Sequence, residues 1–460
     1  MEVCVKHIML VDNELKIIQH VLNHTDWIVE VLVTMNRDNP YVNVSRVKKI
    51  YTEEDFLKNR DLSSFDYHDL DYLWHAQLKV ENCFQRFLVD YQMGKWNYYR
   101  GYALVKKIYD KAKLDLVIVK GFNHGYTWDR LITDFATYKN INSYNIETML
   151  LYTRGVYNNY TRKLIRADES SNVDVSRSLF YKESYENNRP FNKGLWNWIY
   201  KWNYQLFGSL GVDIIKCIRY RDFGEDRFGV TIQERAVQYG KIRAVKRYVD
   251  SISVKPDFKK KYICYALHFE PEATVAGRAD MDSQIVAIQM IASNLPPDWI
   301  LYVKEHPFQY EVNRSDIYWD LYGVAVFKTR RFYEEIHCIK NVRLLKSETS
   351  SKMILKRCQA IATFSGTIAA EATRYKKPVM IFSSERTVFH LASGFYKICS
   401  YEDCKKAIQK IMRKEPVNYD DFEKICKQYF IDFKDESSGF KKAIDMIQKD
   451  VMEQKENLSL

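Results

Sequence analysis

The sequence of 460 residues lacks the motifs of several large enzyme classes. It contains no P-loop, no GxGxxG, no HExxH and no GxSxG pattern, which argues against the common ATPase, dehydrogenase, metalloprotease and hydrolase classes. The nine cysteines form no CxxC pair, and their number is odd. This cysteine pattern predicts free, mostly buried thiols in a reducing compartment, and not a disulfide framework or a zinc site.

Signals for export and membrane insertion are also missing. No run approaches the roughly 20 apolar residues that a membrane-spanning helix needs, and residues 1–7 lack the basic-then-apolar layout of a signal peptide. We therefore expect a cytoplasmic protein. No nucleic-acid recognition motif occurs, so the formal net charge of +11 favours nucleotides or phospholipid headgroups as anionic partners.

The chain is too long for one ordinary core, so two domains are expected. Apolar β-branched runs alternate with helical patterns in both halves, which predicts two parallel α/β sheets, with a largely helical insertion at residues 45–112. The composition changes near residue 255, where we place the boundary between a domain of residues 1–255 and one of residues 256–460. The predicted strands are 3–11, 27–35, 114–120, 143–146, 262–269, 299–304, 324–327, 341–345, 360–364 and 378–382.

The stretch LYVKEHPFQ ends an apolar, β-like run abruptly. Ligands of parallel sheets bind beyond the carboxyl ends of the strands, so Lys304, His306 and Pro307 are expected where a ligand lies. Lysine and histidine both donate to phosphate oxygens, and proline fixes the turn. The alternative is a capped strand end at the surface, without a ligand.

A second stretch, ATFSGTIAAEATRYKKPVMIF, places two hydroxyls and a glycine between a strand and a helix. Ser365, Gly366 and Thr367 predict an anion site, because the free N–H groups and the dipole of a helix N-terminus attract phosphate. The alternative is an ordinary serine N-cap with a glycine for the turn. Glu371 lies one turn further along, either within reach of a sugar hydroxyl or facing solvent.

Two further stretches supply imidazoles and carboxylates. In YALHFEPEAT, His268 and Glu270 alternate with apolar residues after a strand, so an extended backbone places them on one side, as a wall of the cleft. In the first half, Glu147 and His124 each follow a strand, and either is a candidate general base for an acceptor hydroxyl. The alternative for each is a purely structural role, and no metal site is expected.

Four segments together resemble one family, the bacterial capsule polysaccharide biosynthesis proteins. The segments are IETMLLYTRGVYNN, HFEPEAT, DSQIVAIQMIASNLPPDWILYVKEHP and ATFSGTIAAEATRYKKPVMIF, and the likeness covers residues 110–385. The resemblance implies an α/β GT-B fold, with two Rossmann-like domains facing a cleft and helical insertions. Members of this family are similar to capsule Kdo transferases and bacterial sialyltransferases.

The resemblance also implies roles for the second-half residues. His306 and Pro307 would bind the cytidine phosphate of a CMP-activated sugar, with Lys304 nearby. The hydroxyl-glycine loop, residues 365–367, would hold the phosphate, and Glu371 would touch the ribose. The donor is then a substrate, and no cofactor is implied.

In the first half, Glu147 would occupy the position of the catalytic carboxylate. The sequence departs from the family pattern here, because it reads Glu147-Thr148-Met149 where many relatives carry Glu-Asp-Gly. Enzymes of this kind need no metal, since donor groups and the helix dipole stabilise the leaving group.

We therefore expect a glycosyltransferase of capsule or lipopolysaccharide synthesis that moves a sugar, Kdo or sialic-acid-like, from a CMP-linked donor to a glycan hydroxyl. Residues 1–255 would hold the acceptor and the base, and residues 256–460, which end in helices, would hold the nucleotide sugar. The open alternatives are a UDP- or GDP-sugar transferase, a polyol-phosphate transferase, and a non-catalytic glycan- or nucleotide-binding partner.

One aromatic stretch bears on the membrane. Residues 194–208, GLWNWIYKWNYQLFG, combine tryptophan and tyrosine with basic residues downstream. Such a segment suits peripheral contact with the cytoplasmic face of the inner membrane, where a lipid-linked glycan acceptor would lie. The alternative is a buried aromatic helix between the domains.

Overall fold

The computed structural model describes most of the chain. The described residues are 7–12, 15–34, 46–120, 128–149, 153–167, 173, 202, 229–272, 275–276, 281–307, 309–310, 324–382, 389–415, 417–418 and 420–459.

The first sheet has eight strands, of which five run parallel in the order β3-β2-β1-β4-β5. The parallel strands are β1 His7–Val11, β2 Ile28–Thr34, β3 Val47–Thr52, β4 Leu116–Val119 and β5 Asn142–Thr148. Three antiparallel strands extend the sheet beyond β5: β6 Thr153–Asn158, β7 Lys163–Leu164 and β14 Ile431–Asp432. The parallel part has the strand order of a Rossmann-like half.

The second sheet has six strands, all parallel, in the order β10-β9-β8-β11-β12-β13. They are β8 Tyr262–Ala266, β9 Ile300–Lys304, β10 Val342–Leu344, β11 Ala360–Thr363, β12 Val379–Ile381 and β13 Phe395–Lys397. Counted from β8, this is the doubly wound order 3-2-1-4-5-6. The strand order reverses between β8 and β11, and that is where such sheets bind ligands.

Helices connect the strands. In the first half they are α1 Lys16–His24, α2 Glu53–Lys58, α3 Tyr67–Gln85, α4 Tyr91–Lys111 and α5 Asp129–Tyr138, followed by α6 Ile232–Ile252. In the second half they are α7 Gln284–Asn294, α8 Val324–Phe327, α9 Arg330–Cys338, α10 Ser351–Arg357, α11 Ile368–Arg374, α12 Tyr401–Met412, α13 Asp420–Tyr429 and α14 Glu436–Ser459.

Both faces of the second sheet are buried, which explains its continuous apolar strands. Within β8, Ile263 and Tyr265 belong to one core cluster, and Tyr262 and Cys264 belong to the cluster on the other face. All four side chains are fully buried. The sheet therefore needs helices on both sides, and this is the layered arrangement of an α/β domain.

The predicted α/β class with two parallel-rich sheets is confirmed. Of the strands predicted in the described residues, that at Val324–Phe327 is wrong, because these residues form the short helix α8, which packs against α6. A four-residue apolar run carries no periodicity that separates a strand from a buried helix. The expected helical stretch from residue 45 begins with a strand, β3, before α2, α3 and α4.

The C-terminal residues return to the first sheet. After α13, the strand β14 pairs with β6, joining Ile431 to Arg154. The final helix then packs on the first half, where Phe440 and Ile444 share a core cluster with Tyr144 and Val156. The predicted domain of residues 256–460 thus ends in elements that lie on the other sheet.

Two helix glycines give a matched test of packing. Gly101 lies within α4, and a Cβ atom there would fall 2.2 Å from Nε1 of the buried Trp128. Gly240 lies within α6 with nothing within 4 Å of its Cβ position. We predict that Gly101→Ala lowers the free energy of unfolding by about 1–3 kcal/mol through overpacking.

Gly240→Ala is expected to raise the free energy of unfolding by about 0.5–1 kcal/mol, because alanine loses less backbone entropy on folding. Urea unfolding followed by circular dichroism measures both variants. Equal effects of the two substitutions would contradict the packing of Trp128 against α4.

Candidate functional site

A polar cluster lies at the carboxyl edge of the second sheet, at the reversal of strand order. His268 follows β8, and Ser365 follows the neighbouring strand β11. The backbone N–H of Ser365 donates a hydrogen bond to Nε2 of His268 at 3.2 Å. The two strand ends are therefore linked directly at the position where doubly wound sheets bind ligands.

The contacts of His268 define the state of its imidazole ring. Nε2 accepts from an N–H group, and Nδ1 lies 3.3 Å from a carboxylate oxygen of Glu272. A neutral ring with its proton on Nδ1 satisfies both contacts. The backbone N–H of His268 donates to Oε1 of Gln284 at 2.8 Å. His268 is buried, and it acts as a fixed acceptor that orients the loop after β11.

The hydroxyl-glycine loop follows this contact and leads into α11. Ser365 and Gly366 are half-buried, and Thr367 is exposed. Thr367 is the N-cap residue, and its side chain makes no capping hydrogen bond, so the serine N-cap considered from sequence is not formed. A Cβ atom at Gly366 would lie 3.0 Å from Oγ1 of Thr363, which leaves little room for a side chain. Glu371 is half-buried in the first turn of α11.

The residues after β9 divide into an inward and an outward group. The Glu305 side chain is buried and accepts hydrogen bonds from Lys328 Nζ at 2.8 Å and from the hydroxyl of Tyr333 at 2.6 Å. Its Oε1 also accepts from the backbone N–H of His306 at 2.6 Å. His306 is half-buried with its ring centroid 6.0 Å from that of Phe269. The carboxylate therefore anchors the turn, and the imidazole lies nearer the surface.

The flanking residues of this turn differ in exposure. Lys304 is the last residue of β9 and is buried, and its carbonyl accepts from the backbone N–H of Leu267 at 2.9 Å. Pro307 is exposed. Pro307, and not Lys304, therefore has its side chain at the surface of the site.

Lys328 is a central residue of the cluster that sequence reasoning missed. Its side chain is fully buried, and Nζ donates both to Glu305 and to the backbone carbonyl of His268 at 2.5 Å. It comes directly after α8, sixty residues from His268 in the chain. No motif of the sequence marks Lys328, and the short apolar run before it does not show that the lysine is buried.

Glu270 lies in the same cluster and is held by two glutamines. Gln284 Nε2 donates to its carboxylate, and the side chain of Gln309 bonds both its backbone N–H and its carbonyl, at 2.9 and 2.8 Å. Burial raises the pKa of the Glu270 carboxyl above its usual value of 4.5, although the nearby Lys328 ammonium acts in the opposite direction. The predicted wall of the cleft is thus a hydrogen-bonded network.

The first-domain candidates are placed differently. Glu147 lies in β5 opposite Gly155 of β6, so its strand continues into an antiparallel pair. Its side chain is buried and accepts from Asn145 Nδ2 at 3.0 Å, and Asn159 donates in turn to Asn145 at 2.8 Å. The sheet thus holds Glu147 in a row of buried polar side chains. His124 lies outside the described residues.

Two polar contacts join the first half to the loop that carries the cluster. Arg86, at the end of α3, is fully buried, and its Nε donates to the carbonyl of Pro271 at 2.8 Å. Lys79 on the same helix pairs with Asp282 at 3.2 Å. Phe269 packs in the core cluster of the first half. The segment after β8 is therefore held from both sides.

Metal-binding clusters and membrane-spanning helices are both absent from the described residues. No group of three histidine, cysteine or acidic side chains in the described ranges is placed to hold a metal ion. No helix formed by the described residues is long and apolar enough to cross a membrane. The aromatic segment 194–208 lies outside the described part of the chain except for Trp202, which is exposed.

Comparisons with known proteins gave no family. No family model matches the chain, and no curated protein matches it. Solved structures match with low scores. The UDP-GlcNAc 2-epimerase of Methanocaldococcus jannaschii is 13% identical with a TM-score of 0.26, covering 90% of this chain and 94% of that one.

Two further matches are similarly distant. KpsC of Thermosulfurimonas dismutans, a beta Kdo 2,7 transferase, is 12% identical with a TM-score of 0.27, over 66% of this chain and 79% of that one. The wall teichoic acid polymerase TagF is 10% identical with a TM-score of 0.22, over 98% of this chain and 90% of that one. At these scores the likenesses carry no argument about this chain, and the fold assignment rests on its own sheet topology.

The buried ion pair predicts a large effect of removing its cation. Lys328→Met leaves the Glu305 carboxylate buried without its counter-ion, so the free energy of unfolding should fall by about 3–5 kcal/mol. Arg331→Met is the control, because it breaks an exposed pair with Glu335 on α9 and should cost less than about 1 kcal/mol. Urea unfolding measures both, and equal losses would contradict the anchoring role of Lys328.

The raised pKa of Glu270 predicts a pH dependence of stability. The folded state keeps this proton to higher pH than the unfolded chain, so ionisation opposes folding as the pH rises above 4.5. Glu270→Gln removes this cost and retains an acceptor for Gln284. The stability of Glu270→Gln relative to the unmodified protein should therefore increase between pH 4 and pH 8.

Urea midpoints across that pH range give the comparison. Glu335→Gln, at an exposed position of α9, is the control and should follow the unmodified protein. If the urea midpoints of Glu270→Gln also run parallel to those of the unmodified protein across this pH range, burial does not control the ionisation of Glu270.

Proposed function

We propose that the chain is a GT-B glycosyltransferase of surface polysaccharide synthesis that uses a nucleotide-activated sugar. The second domain binds the donor at the carboxyl edge of its sheet, and the first domain supplies the acceptor side. The observation that carries the proposal is the link between His268 and Ser365 at the reversal of strand order. The link orients the hydroxyl-glycine loop after β11, and the half-buried His306 follows β9 at the same edge of the sheet.

The chemistry of this edge suits a phosphate leaving group. The loop of residues 365–367 presents two hydroxyls and backbone N–H groups, and His306 adds an imidazole that donates when its ring nitrogen is protonated. Donors fixed before the reaction stabilise charge that develops on the departing phosphate. We assign the phosphate to this loop together with His306 and Pro307, the ribose to Glu371, and no metal to the reaction. In this proposal the donor is a CMP-linked sugar.

Glu147 is the proposed general base for the acceptor hydroxyl. Its carboxylate is the acidic group of a polar row that also contains Asn145 and Asn159. An amide donor holds one oxygen and orients the carboxylate, as a base needs for proton transfer. The acceptor is a glycan or lipid-linked glycan, and the protein works at the cytoplasmic face of the membrane.

The donor site is tested by calorimetric titration with CMP, UDP, GDP and CDP. We expect CMP to bind and His306→Ala to weaken its binding at least about tenfold, since a lost hydrogen bond to a charged group is worth about 1.5–3 kcal/mol. His337→Ala, at an exposed position of α9, is the matched control and should bind like the unmodified protein. If UDP or GDP binds instead of CMP, the donor is a UDP- or GDP-sugar. If none of the four nucleotides binds, the proposed function is wrong.

Glu147→Gln extends the same titration to catalysis. If the protein is an enzyme, the Glu147→Gln variant should keep its nucleotide affinity and lose turnover of the CMP-sugar, because the amide cannot accept the proton. Unchanged turnover would contradict the role of Glu147. Nucleotide binding without any transfer by the unmodified protein would favour a non-catalytic binding partner.

A further inference from the structure

A strongly basic surface that shares no residue with the candidate site lies on the face of the second sheet that Tyr262 and Cys264 line, and it reaches the amino edge of that sheet. Two segments form it: residues 255–261, which lead into β8, and residues 352–357 of α10. Together they carry seven basic side chains and one acidic side chain. The basic side chains, all exposed, are Lys255, Lys259, Lys260, Lys261, Lys352, Lys356 and Arg357.

Direct contacts bring the two segments together. The guanidinium of Arg357 lies 4.6 Å from the ring centroid of Phe258. The hydroxyl of Tyr262 donates to the carbonyl of Ile354 at 3.1 Å, and the backbone N–H of Gln359 donates to the carbonyl of Tyr262 at 2.9 Å. The two runs of cations therefore form one basic surface.

No carboxylate among the described residues balances the charges of this surface. In the described part of the chain, none of the seven basic side chains forms an ion pair with a carboxylate. Elsewhere, exposed cations are paired one helical turn apart, as in Lys246 with Asp250 and Lys427 with Glu423. The single acidic residue, Asp257, accepts the backbone N–H of Lys259 and so closes the turn.

Helix electrostatics make one of these lysines unfavourable. Basic residues at the end of a helix interact well with its dipole, which accounts for Lys356 and Arg357 in the last turn of α10. Lys352 lies in the first turn, where the dipole repels a cation, and it stands four residues from Lys356, a repulsive spacing. The electrostatic repulsion of Lys352 lowers the stability of the fold, and a bound external anion would offset this repulsion.

An apolar side chain interrupts the cations. Met353 is 49% exposed between Lys352 and the buried Ile354. A flexible apolar side chain surrounded by lysines suits the boundary between headgroups and acyl chains, where the cations remain with the phosphates. Aromatic platforms for nucleic-acid bases are absent from residues 352–357, and Phe258 is covered by Arg357.

We propose that this basic surface docks the protein on an anionic phospholipid leaflet. The contact reaches the amino edge of the second sheet, because Lys261 precedes β8 and Arg357 precedes β11. His306 and Ser365 of the proposed nucleotide site follow strands of the same sheet at its carboxyl edge. The inference deepens the proposed function by locating its membrane contact, and it does not depend on which sugar is transferred.

Vesicle co-sedimentation of the full chain tests the proposal. We expect binding to vesicles of phosphatidylcholine with 30% phosphatidylglycerol, weakening with salt, and no binding to phosphatidylcholine alone. The variant Lys259→Glu/Lys260→Glu/Lys352→Glu should lower the partition coefficient at least about 100-fold. The matched control, Lys405→Glu/Lys424→Glu/Lys442→Glu, reverses three exposed lysines on α12, α13 and α14 and should retain most of the binding.

Equal losses in the two triple variants would overturn the proposal, since net charge alone would then explain the binding. Absence of binding to the anionic vesicles would also overturn it, as would tighter binding to a single-stranded RNA oligonucleotide through the same three lysines. Nucleotide titration of both triple variants separates this test from the proposed function, because the donor site should be unaffected. Thermal unfolding checks that both variants fold.

Discussion

The carboxyl edge of the second sheet depends on one buried ion pair. Glu305 and Lys328 are both nearly or fully buried, and each makes additional hydrogen bonds. A buried charge is stable only when it is paired with an opposite charge and its other hydrogen-bond donors or acceptors also have partners. Lys328 meets this condition by bonding the ends of two strands at once, the carboxylate after β9 and the carbonyl of His268 after β8. The positions of both strand ends thus follow from a single ammonium group.

This anchoring explains why a buried strand ends in a cation, a carboxylate, an imidazole and a proline. The carboxylate turns inward and holds the backbone N–H of the next residue. His306 is thereby fixed at the surface of the edge, while His268 is fixed below it and orients the loop of Ser365. Two histidines on neighbouring strands therefore do different work. One organises the backbone, and the other lies at the edge of the sheet where the proposed ligand would bind.

Much of the fold could be predicted from the sequence, because continuous apolar runs between helical patterns specify parallel strands buried on both faces. The residues around the candidate site could be predicted in part, since His268, Glu270, His306 and Ser365 directly follow such runs. The partners that hold them could not. Lys328 and Gln284 reach the site from distant positions in the chain, and Gln309 ends the LYVKEHPFQ stretch without a motif that marks it. A polar side chain carries no local pattern that reveals its burial.

The link from Arg86 to Pro271 connects the two halves at a sensitive position. Pro271 follows Glu270 directly, and His268 lies three residues before it, so Arg86 at the end of α3 is bonded to the segment whose imidazole orients the Ser365 loop. The C-terminal helix adds a second connection, because β14 and α14 lie on the first sheet. The hydrogen bonds of Pro271 and His268 therefore link a helix of the first half to the loop after β11, and the two halves are held to each other beside the candidate site.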